Sequence, residues 1–371
     1  MLNDVFLKNK LTKTLNAPIA ATICPTERCN LICRHCFGAY GIKSKRDKLD
    51  FKAWTKIIDC LKEYVLKIEV TGGEPLLSST TLPLLRYIKK NKFCVISVNT
   101  NGTLITKRVA YTLSKLRPEL QFVKVSLDGA TPEVHEYIRG KGTYKLVIRG
   151  IKNLRDNNIP VIVASMVHKM TSFEDIEEMY KLSEELNFYV QYGTIFPVGE
   201  ALRNWKSIFL SPDAFNEISE FILKKERESR VDDQIIGMRT EIEQEEYSVK
   251  RTLGRCSAGY KGLTVMSDGM LAACQLLLLN QFSGDILNVW KNDVFLKKIR
   301  DYKREDDVEI CKKCKERSSC FKTCIGASYN VFGDFRAPSP YCILYHEYLD
   351  LREDLVNPHL KMLKELGIEV D

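Results

Sequence analysis

The sequence predicts an α/β fold, a parallel sheet with helices outside it, followed by a small cysteine-rich region. Three observations carry this expectation. Six strand-like runs alternate with helical stretches over residues 19–196, the alternation fades after residue 200, and seven of the thirteen cysteines fall between 256 and 342. Regular strand–helix alternation favours a parallel sheet covered by helices, either a closed barrel or a partly open one.

The candidate strands are 19–23, 66–71, 94–100, 122–127, 159–167 and 188–196, each rich in Val, Ile or aromatic residues. Between them, 51–64, 79–90, 105–116, 144–157 and 172–186 carry helical periodicity. Asp50 and Ser172 stand where an N-cap is wanted, and Asn157–Asn158 suits a helix stop. Residues 200–255 read as a bridge of helices with charged faces, for example 212–229 and 236–250. From 254 the chain is dense in cysteine and in glycine (Gly254, Gly259, Gly262, Gly269, Gly284, Gly326, Gly333). A small region of that kind has little apolar core and calls for inorganic staples. Residues 342–366 return to a polar helix that can pack back on the barrel. The chain thus divides into an extension (1–18), a core (19–200), a helical bridge (201–253), a cysteine-rich domain (254–345) and a C-terminal helix (346–371).

With 371 residues, 44% of them hydrophobic, a sizeable core is within reach. No run of 18 apolar residues exists, which excludes a helical membrane span. The N-terminus, MLNDVFLKNKLTKTL, lacks a signal-peptide core and cleavage site, so a cytoplasmic protein is expected. The net charge of +8 comes from Lys and Arg interleaved with Asp and Glu along the chain, as on a solvated surface. No basic run with interleaved aromatics marks a nucleic-acid partner. A reducing cytoplasm keeps thiols free, so thirteen cysteines point to metal or cluster ligation rather than disulfides. Cys60 and Cys94 stand alone in apolar contexts and read as buried structural thiols.

Residues 24–38 read CPTERCNLICRHCFG. Cys29, Cys33 and Cys36 follow C-x3-C-x2-C directly after the first strand. Three thiolates on one short loop can hold three corners of a cubane cluster and leave the fourth iron open. A vacant position is what a chelating substrate requires of a catalytic metal. The plainer alternative is a zinc knuckle or a set of buried thiols. Zinc asks for four ligands, and His35, adjacent to Cys36, is badly placed to complete a tetrahedron. Cys24 reads as a packed thiol at the strand's end. The stretch resembles the cluster loop of the radical S-adenosylmethionine superfamily, where an aromatic residue, here Phe37, follows the third cysteine. That resemblance implies a partial (β/α)6 TIM-like barrel with Cys29, Cys33 and Cys36 as catalytic ligands of a [4Fe–4S] cluster. It also implies S-adenosylmethionine chelating the unique iron, one-electron cleavage to a 5′-deoxyadenosyl radical, and Phe37 beside the adenine.

Supporting motifs follow in order. Thr71-Gly72-Gly73-Glu74-Pro75 ends the second strand; its glycines let backbone approach closely, and the Glu74 carboxylate can accept from an ammonium group. By resemblance this segment binds the methionine amine. Asn99-Thr100-Asn101-Gly102 and Ser126-Leu127-Asp128-Gly129 put small polar groups at the carboxyl ends of the next strands, where barrel enzymes place ligand contacts. Asn99 and Ser126 look like contacts to the ribose or carboxylate, and Arg139, close to His135 in HEYIRG, can pair with the methionine carboxylate.

The later cysteines are Cys256, Cys274, Cys311, Cys314, Cys320, Cys324 and Cys342. Twelve residues separate Cys256 from Gly269, four more separate Gly269 from Cys274, and 311–324 reads C-x2-C-x5-C-x3-C. The layout resembles the SPASM domain, the small auxiliary iron–sulfur extension of radical enzymes that often act on peptides. The two resemblances together cover roughly residues 19–345. A zinc ribbon on Cys311, Cys314, Cys320 and Cys324 is the alternative, but it leaves three cysteines unused. By family analogy one auxiliary [4Fe–4S] cluster takes Cys311, Cys314, Cys320 and Cys342, and the other takes Cys256, Cys274 and Cys324. The eighth cysteine of fully ligated relatives has no counterpart in SAGYKGLTVMSDG, so the second cluster is expected to keep an open or non-cysteine site.

The expected reaction is hydrogen abstraction from a peptide or protein side chain, giving a crosslink or an oxidation in peptide maturation. Alternatives are small-molecule chemistry in cofactor or haem biosynthesis, and a non-catalytic electron carrier; the GGEP segment argues against the carrier. The expected partners are a peptide substrate and a low-potential electron donor such as ferredoxin or flavodoxin. Fewer than 25 residues precede the first strand, so a separate leader-binding protein or the barrel surface would read a leader. Pro197-Val198-Gly199 resembles a segment bordering the substrate cavity. Asp128, Asp268, Asp285 and Asp334 are candidate general bases, each also a natural turn former.

Overall fold

The first six strands have two unlike faces. In the computed structural model, which describes residues 15–38, 47–228, 258–282, 285–302, 308–312, 314 and 324–370, these strands are β1 (Ala20–Thr26), β2 (Lys67–Gly72), β3 (Val95–Thr100), β4 (Leu120–Ser126), β5 (Val161–Val167) and β6 (Tyr189–Thr194). Side chains alternate across a strand. One set (Ile68, Val70, Ile96, Val98, Val123, Val125) is fully buried with Trp54, Leu61, Leu84 and Ile151 from the surrounding helices. The other set is polar (Glu69 and Thr71, Ser97 and Asn99, Lys124 and Ser126) and lies on the opposite, concave face. A closed barrel fills its interior with branched apolar side chains; polar ones suit a ligand.

The sheet order is β6-β5-β4-β3-β2-β1-β7-β8-β9, and β1 to β6 run parallel. The barrel is not closed. β1 pairs on its second edge with β7 (Gly262–Val265), so β6 is left at the sheet's margin. β8 (Met270–Cys274) and β9 (Leu277–Phe282) then add antiparallel. Sequence reading treated this stretch as turn-rich only; it is a continuation of the main sheet.

Helices connect the strands much as expected: Phe51–Leu61, Thr81–Asn91, Lys107–Ser114, Thr143–Arg155, Phe173–Leu186 and Pro212–Glu228. Asp50 and Ser172 do cap, accepting from Ala53 N at 2.8 Å and Asp175 N at 3.2 Å. Asn158, with φ of 55°, follows the stop after Arg155. Between β1 and β6 one α-helix has no counterpart in the expected set: Pro132–Arg139, with Thr131 as N-cap and Pro132 in the first turn. Beyond the sheet, Ile286–Asn292, Val294–Asp301 and Ile325–Phe332 are further such helices. The expected helix over 342–366 is two, Pro340–Leu344 and Glu353–Glu365, separated by turns. The second buries Val356 and Leu363 in a smaller core with Leu202, Val331, Phe332 and Ile343. Cys94 is buried as expected, whereas Cys60 is exposed, because it lies on the outer side of helix Phe51–Leu61. The expected helix 236–250, Cys256 and Cys320 lie outside the described residues. Among the described residues no helix is long and apolar enough to cross a membrane.

Candidate active site

The three-cysteine loop leaves the end of β1 and is tied down from four directions. Gly73 N donates to Thr26 O at 3.0 Å and Glu74 N to Arg28 O at 2.7 Å, stitching the end of β2 to the loop's start. Arg28 grips Asp47 (Nε to Oδ1, 3.0 Å) and the Leu77 carbonyl (3.0 Å). Arg34 N donates to Ile138 O at 2.9 Å, and its guanidinium stacks 4.5 Å over the Tyr137 ring. Glu200 N donates to Cys36 O at 3.0 Å, and Asn101 Nδ2 reaches Cys29 Sγ at 3.9 Å. Gly199, packed on the Cys36 and Phe37 carbonyls, and Glu200 thus clamp the cysteine loop from the segment that follows β6.

Gly73 shows how tight this stitching is. A Cβ there would fall on the Arg28 carbonyl. Gly73→Ala is therefore expected to keep the secondary structure but lower the melting temperature and weaken S-adenosylmethionine binding. Calorimetry and ligand titration check this; a variant unchanged in both would contradict it.

The thiols suit a cluster. Burial pushes Cys33 up to about 12 and also raises Cys29, so both stay neutral until iron displaces their protons. Cys29, Cys33 and Cys36 lie near enough to act on one another electrostatically. Among the described residues no three of His, Cys, Asp and Glu converge closely enough to hold a single metal ion. A cubane instead asks each thiolate to meet its own iron, and three cysteines leave one corner for a chelating ligand.

Below the loop lies a cavity of ≈ 540 Å³ on the concave face. Phe37, Asn99, Ser126 and Arg139 line it, joined by Thr71, which opens the Thr71–Pro75 motif, and by Lys124, which no sequence motif marks. The Asn99 Oδ1 atom is buried without a partner, a lone acceptor that fits a ligand donor. The aromatic side chain, the small polar groups and this orphaned acceptor fit S-adenosylmethionine. Gly72, Gly73 and Glu74 do not line the cavity. The Glu74 carboxylate, fully buried, accepts from Leu76 N (3.1 Å), Thr100 Oγ1 (2.8 Å) and Asn101 N (2.7 Å). It braces the ends of β2 and β3, and burial pushes its pKa up to about 7.

Arg139 is committed within the protein. Its Nε donates to Asp128 Oδ2 at 2.6 Å, and its Nη2 lies 3.4 Å from His35 Nε2. Asp128 also accepts from Met166 N at 2.9 Å; its amide donates to His135 Nδ1 at 3.0 Å, and His168 Nε2 reaches its carbonyl at 2.8 Å. Desolvation alone would raise the Asp128 pKa; the Arg139 charge overcomes it and holds the carboxyl well below the usual range. This network of Asp128, Arg139 and three histidines was not foreseen, since its members are scattered from 35 to 168. The other candidate bases are turn formers: Asp268 accepts from Met270 N, Asp285 from Asn288 N and Asp334 from Arg336 N.

His135 gives the network a pH signature. Burial, with the Arg139 charge adding, lowers its pKa from 6.5 to about 4 against the pull of Asp128. A depressed folded-state pKa stabilises fully above the unfolded value and loses that contribution as pH falls through the folded one. Stability is expected to drop between pH 6.5 and about 4, by up to ~1.4 kcal/mol per pH unit for this proton. Chemical denaturation across that window checks it; His135→Asn should flatten the slope.

Of the later cysteines, Cys274 ends β8, Cys311 and Cys314 lie at the short helix Glu309–Lys312, Cys324 precedes helix Ile325–Phe332, and Cys342 is buried in Pro340–Leu344.

A parallel α/β sheet whose strand ends carry a clamped three-cysteine loop above a polar-faced cavity is the arrangement expected of a radical S-adenosylmethionine domain. The comparisons agree: residues 23–183 match the Radical SAM superfamily, and the chain carries a radical SAM domain there. It is similar to mycofactocin maturase MftC of Mycobacterium tuberculosis, 26% identical over 92% of this chain and 86% of that one. It is also similar to the AdoMet-dependent heme synthase of Methanosarcina barkeri, 29% identical over 88% and 97%. Among solved structures, Streptococcus suis SuiB bound to S-adenosylmethionine superposes with a TM-score of 0.64 at 21% identity, covering 84% of this chain and 74% of that one, which shows a shared fold.

Proposed function

We propose that this chain is an oxygen-sensitive radical enzyme that cleaves S-adenosylmethionine reductively and abstracts hydrogen from a side chain of a peptide or protein during its maturation. One observation carries the reading: the cofactor-side residues Phe37, Asn99 and Ser126 share a single cavity with an apolar wall of Phe196, Phe215 and Ile222. Ligand and substrate would thus meet in one cavity. The likeness to a maturase over most of both chains supports a peptide substrate, and SuiB has also been solved with its precursor peptide SuiA.

When bound at Cys29, Cys33 and Cys36, the cluster supplies the electron that generates the 5′-deoxyadenosyl radical. The chain's own work is to position and to exclude water. Phe37, Asn99, Ser126 and the Gly72-Gly73-Glu74 turn seat the cofactor in this reading. Glu74 does so by fixing the loops around the site, and Arg139 by fixing Asp128 beside Cys33.

The C-terminal cysteines are read as a SPASM-type domain with two further [4Fe–4S] clusters, one on Cys311, Cys314, Cys320 and Cys342, the other on Cys256, Cys274 and Cys324 with an open position. Auxiliary clusters pass an electron onward or accept one from the substrate. Cys314→Ala should mainly damage iron loading and electron flow; full product formation by that variant would sink the auxiliary-cluster reading. A ferredoxin or flavodoxin would reduce the enzyme in the cytoplasm.

The function is tested by incubating reduced, anaerobic enzyme with S-adenosylmethionine and any short Cys- or Tyr-bearing peptide that a neighbouring gene encodes. A mass change in the peptide supports the reading. The similarity to a heme synthase favours one second reading; turnover of a porphyrin, with no peptide modified, would decide for it.

A further inference from the structure

The concave face of the sheet carries a charge with no ion-pair partner among the described residues. Three basic side chains, His35, Lys124 and Arg139, and one acidic one, Glu226, line the cavity. Arg139 is paired with Asp128. His35 is kept uncharged by burial, its pKa lowered to about 4. Lys124 has no hydrogen-bond or ion-pair partner among the described residues. The carboxylate that acts on it through space is Glu69, on β2, with β3 between them and beyond ion-pair distance. Burial lowers the Lys124 pKa, the response of an ammonium that has lost water and gained no counter-ion.

Lys124 also sits at an informative depth. Register places it beside Asn99, whose Oδ1 is orphaned, and two residues inside Ser126, the last residue of β4. Two residues of strand are ~7 Å. The cysteine loop and the Gly-Gly-Glu turn lie at the strand ends, so an anion on Lys124 lies below the loop, level with Asn99 and beside the cofactor's seat.

We propose that Lys124 is the counter-ion of a substrate carboxylate, seated on the concave face of the sheet below the cysteine loop and beside the cofactor. This rests on the reading of the chain as a peptide-modifying enzyme. A desolvated ammonium in a ligand cavity is costly until an anion joins it, and a carboxylate held there gains a charge-assisted hydrogen bond. The carboxylate has two sources of the same chemistry, an acidic side chain or the end of the peptide.

The test uses full-length, cluster-loaded enzyme with S-adenosylmethionine bound. It is titrated calorimetrically with four probes: N-acetyl penta-alanine with a free C-terminus, its C-terminal amide with a central Glu, the same amide with a central Gln, and glutarate. At least one carboxylate peptide is expected to bind ~10-fold or more tightly than the Gln amide, as a buried charged hydrogen bond provides. Which peptide does so identifies the source. Lys124→Met should erase the difference, Lys124→Arg should keep it, and S-adenosylmethionine affinity should be unchanged in both. The proposal is overturned by equal binding of charged and neutral peptides, by a preference that survives Lys124→Met, or by absence of any carboxylate binding. Loss of S-adenosylmethionine affinity in Lys124→Met also overturns it, since Lys124 would then serve the cofactor. Lys124-dependent binding of glutarate with no binding of any peptide would keep the carboxylate seat and remove the peptide reading.

Discussion

Arg139→Met is expected to lose ~3–5 kcal/mol of folding stability, because removing one partner of a buried pair strands the other's charge. The Arg139 side chain is 10% exposed and that of Asp128 is wholly buried. Without the guanidinium, Asp128 keeps one hydrogen bond to its carboxylate, from Met166 N. The double variant Asp128→Leu/Arg139→Met should recover much of the loss, since it leaves neither group orphaned. The pH dependence has a definite sign. The pairing depresses the Asp128 pKa, so its stabilisation is complete above the ordinary carboxylate range and fades as pH falls through the folded value. The gap between wild type and Arg139→Met should therefore narrow in acid. Chemical denaturation of the three proteins at neutral and acid pH measures this. A single variant within ~1 kcal/mol of wild type, the scale of an exposed pair, would contradict the buried-pair account. Asp128 and Arg139 lie near enough to Cys33 to act on its charge, so cluster loading should fall with stability.

Cys29→Ala, Cys33→Ala and Cys36→Ala are each expected to abolish cofactor cleavage while leaving the fold intact. The loop has other anchors: Thr26, Arg28, Arg34 and Cys36 are all held through backbone or guanidinium contacts that do not use the thiols. Two cysteines cannot hold a cubane with a single free corner, so the chemistry fails before the packing does. Circular dichroism should show native secondary structure, and iron analysis should show loss of one cluster. An alanine variant that still cleaved S-adenosylmethionine at the wild-type rate would remove that cysteine from the ligand set.

Much of the fold was legible because β-branched residues mark strands locally. Runs such as VISV and VIVASMV need no tertiary context to be read, and Asp50 and Ser172 announced helix starts that they do cap. The sheet's extension was also written down, though unread. In GLTVMSDGMLAAC an Asp-Gly turn stands between apolar runs, the sign of a hairpin, which β7 and β8 form. The density of cysteines drew attention from it. Helix Pro132–Arg139 had its Thr-Pro start and a glycine after its end, but it is short.

The site was legible only where its residues lie together in the chain. The cysteine loop and the Gly-Gly-Glu turn are contiguous motifs. The role of Glu74 as a brace depends on Thr100 and Asn101, which come from another strand end. His35, Asp128, His135, Arg139 and His168 meet because the ends of three strands, β1, β4 and β5, converge, which spacing does not reveal. The alternation of Glu69 and Thr71, Ser97 and Asn99, Lys124 and Ser126 was available in the sequence. Those pairs, two apart on three successive strands, mark the concave face as one made for a ligand.

The central claim is that the loop of Cys29, Cys33 and Cys36 turns S-adenosylmethionine into a radical source. The most direct test is chromatographic measurement of 5′-deoxyadenosine after anaerobic, iron-loaded protein is reduced in the presence of S-adenosylmethionine. The account predicts 5′-deoxyadenosine from the wild type and none from the three alanine variants. Intact S-adenosylmethionine from fully loaded, reduced wild-type protein would contradict it.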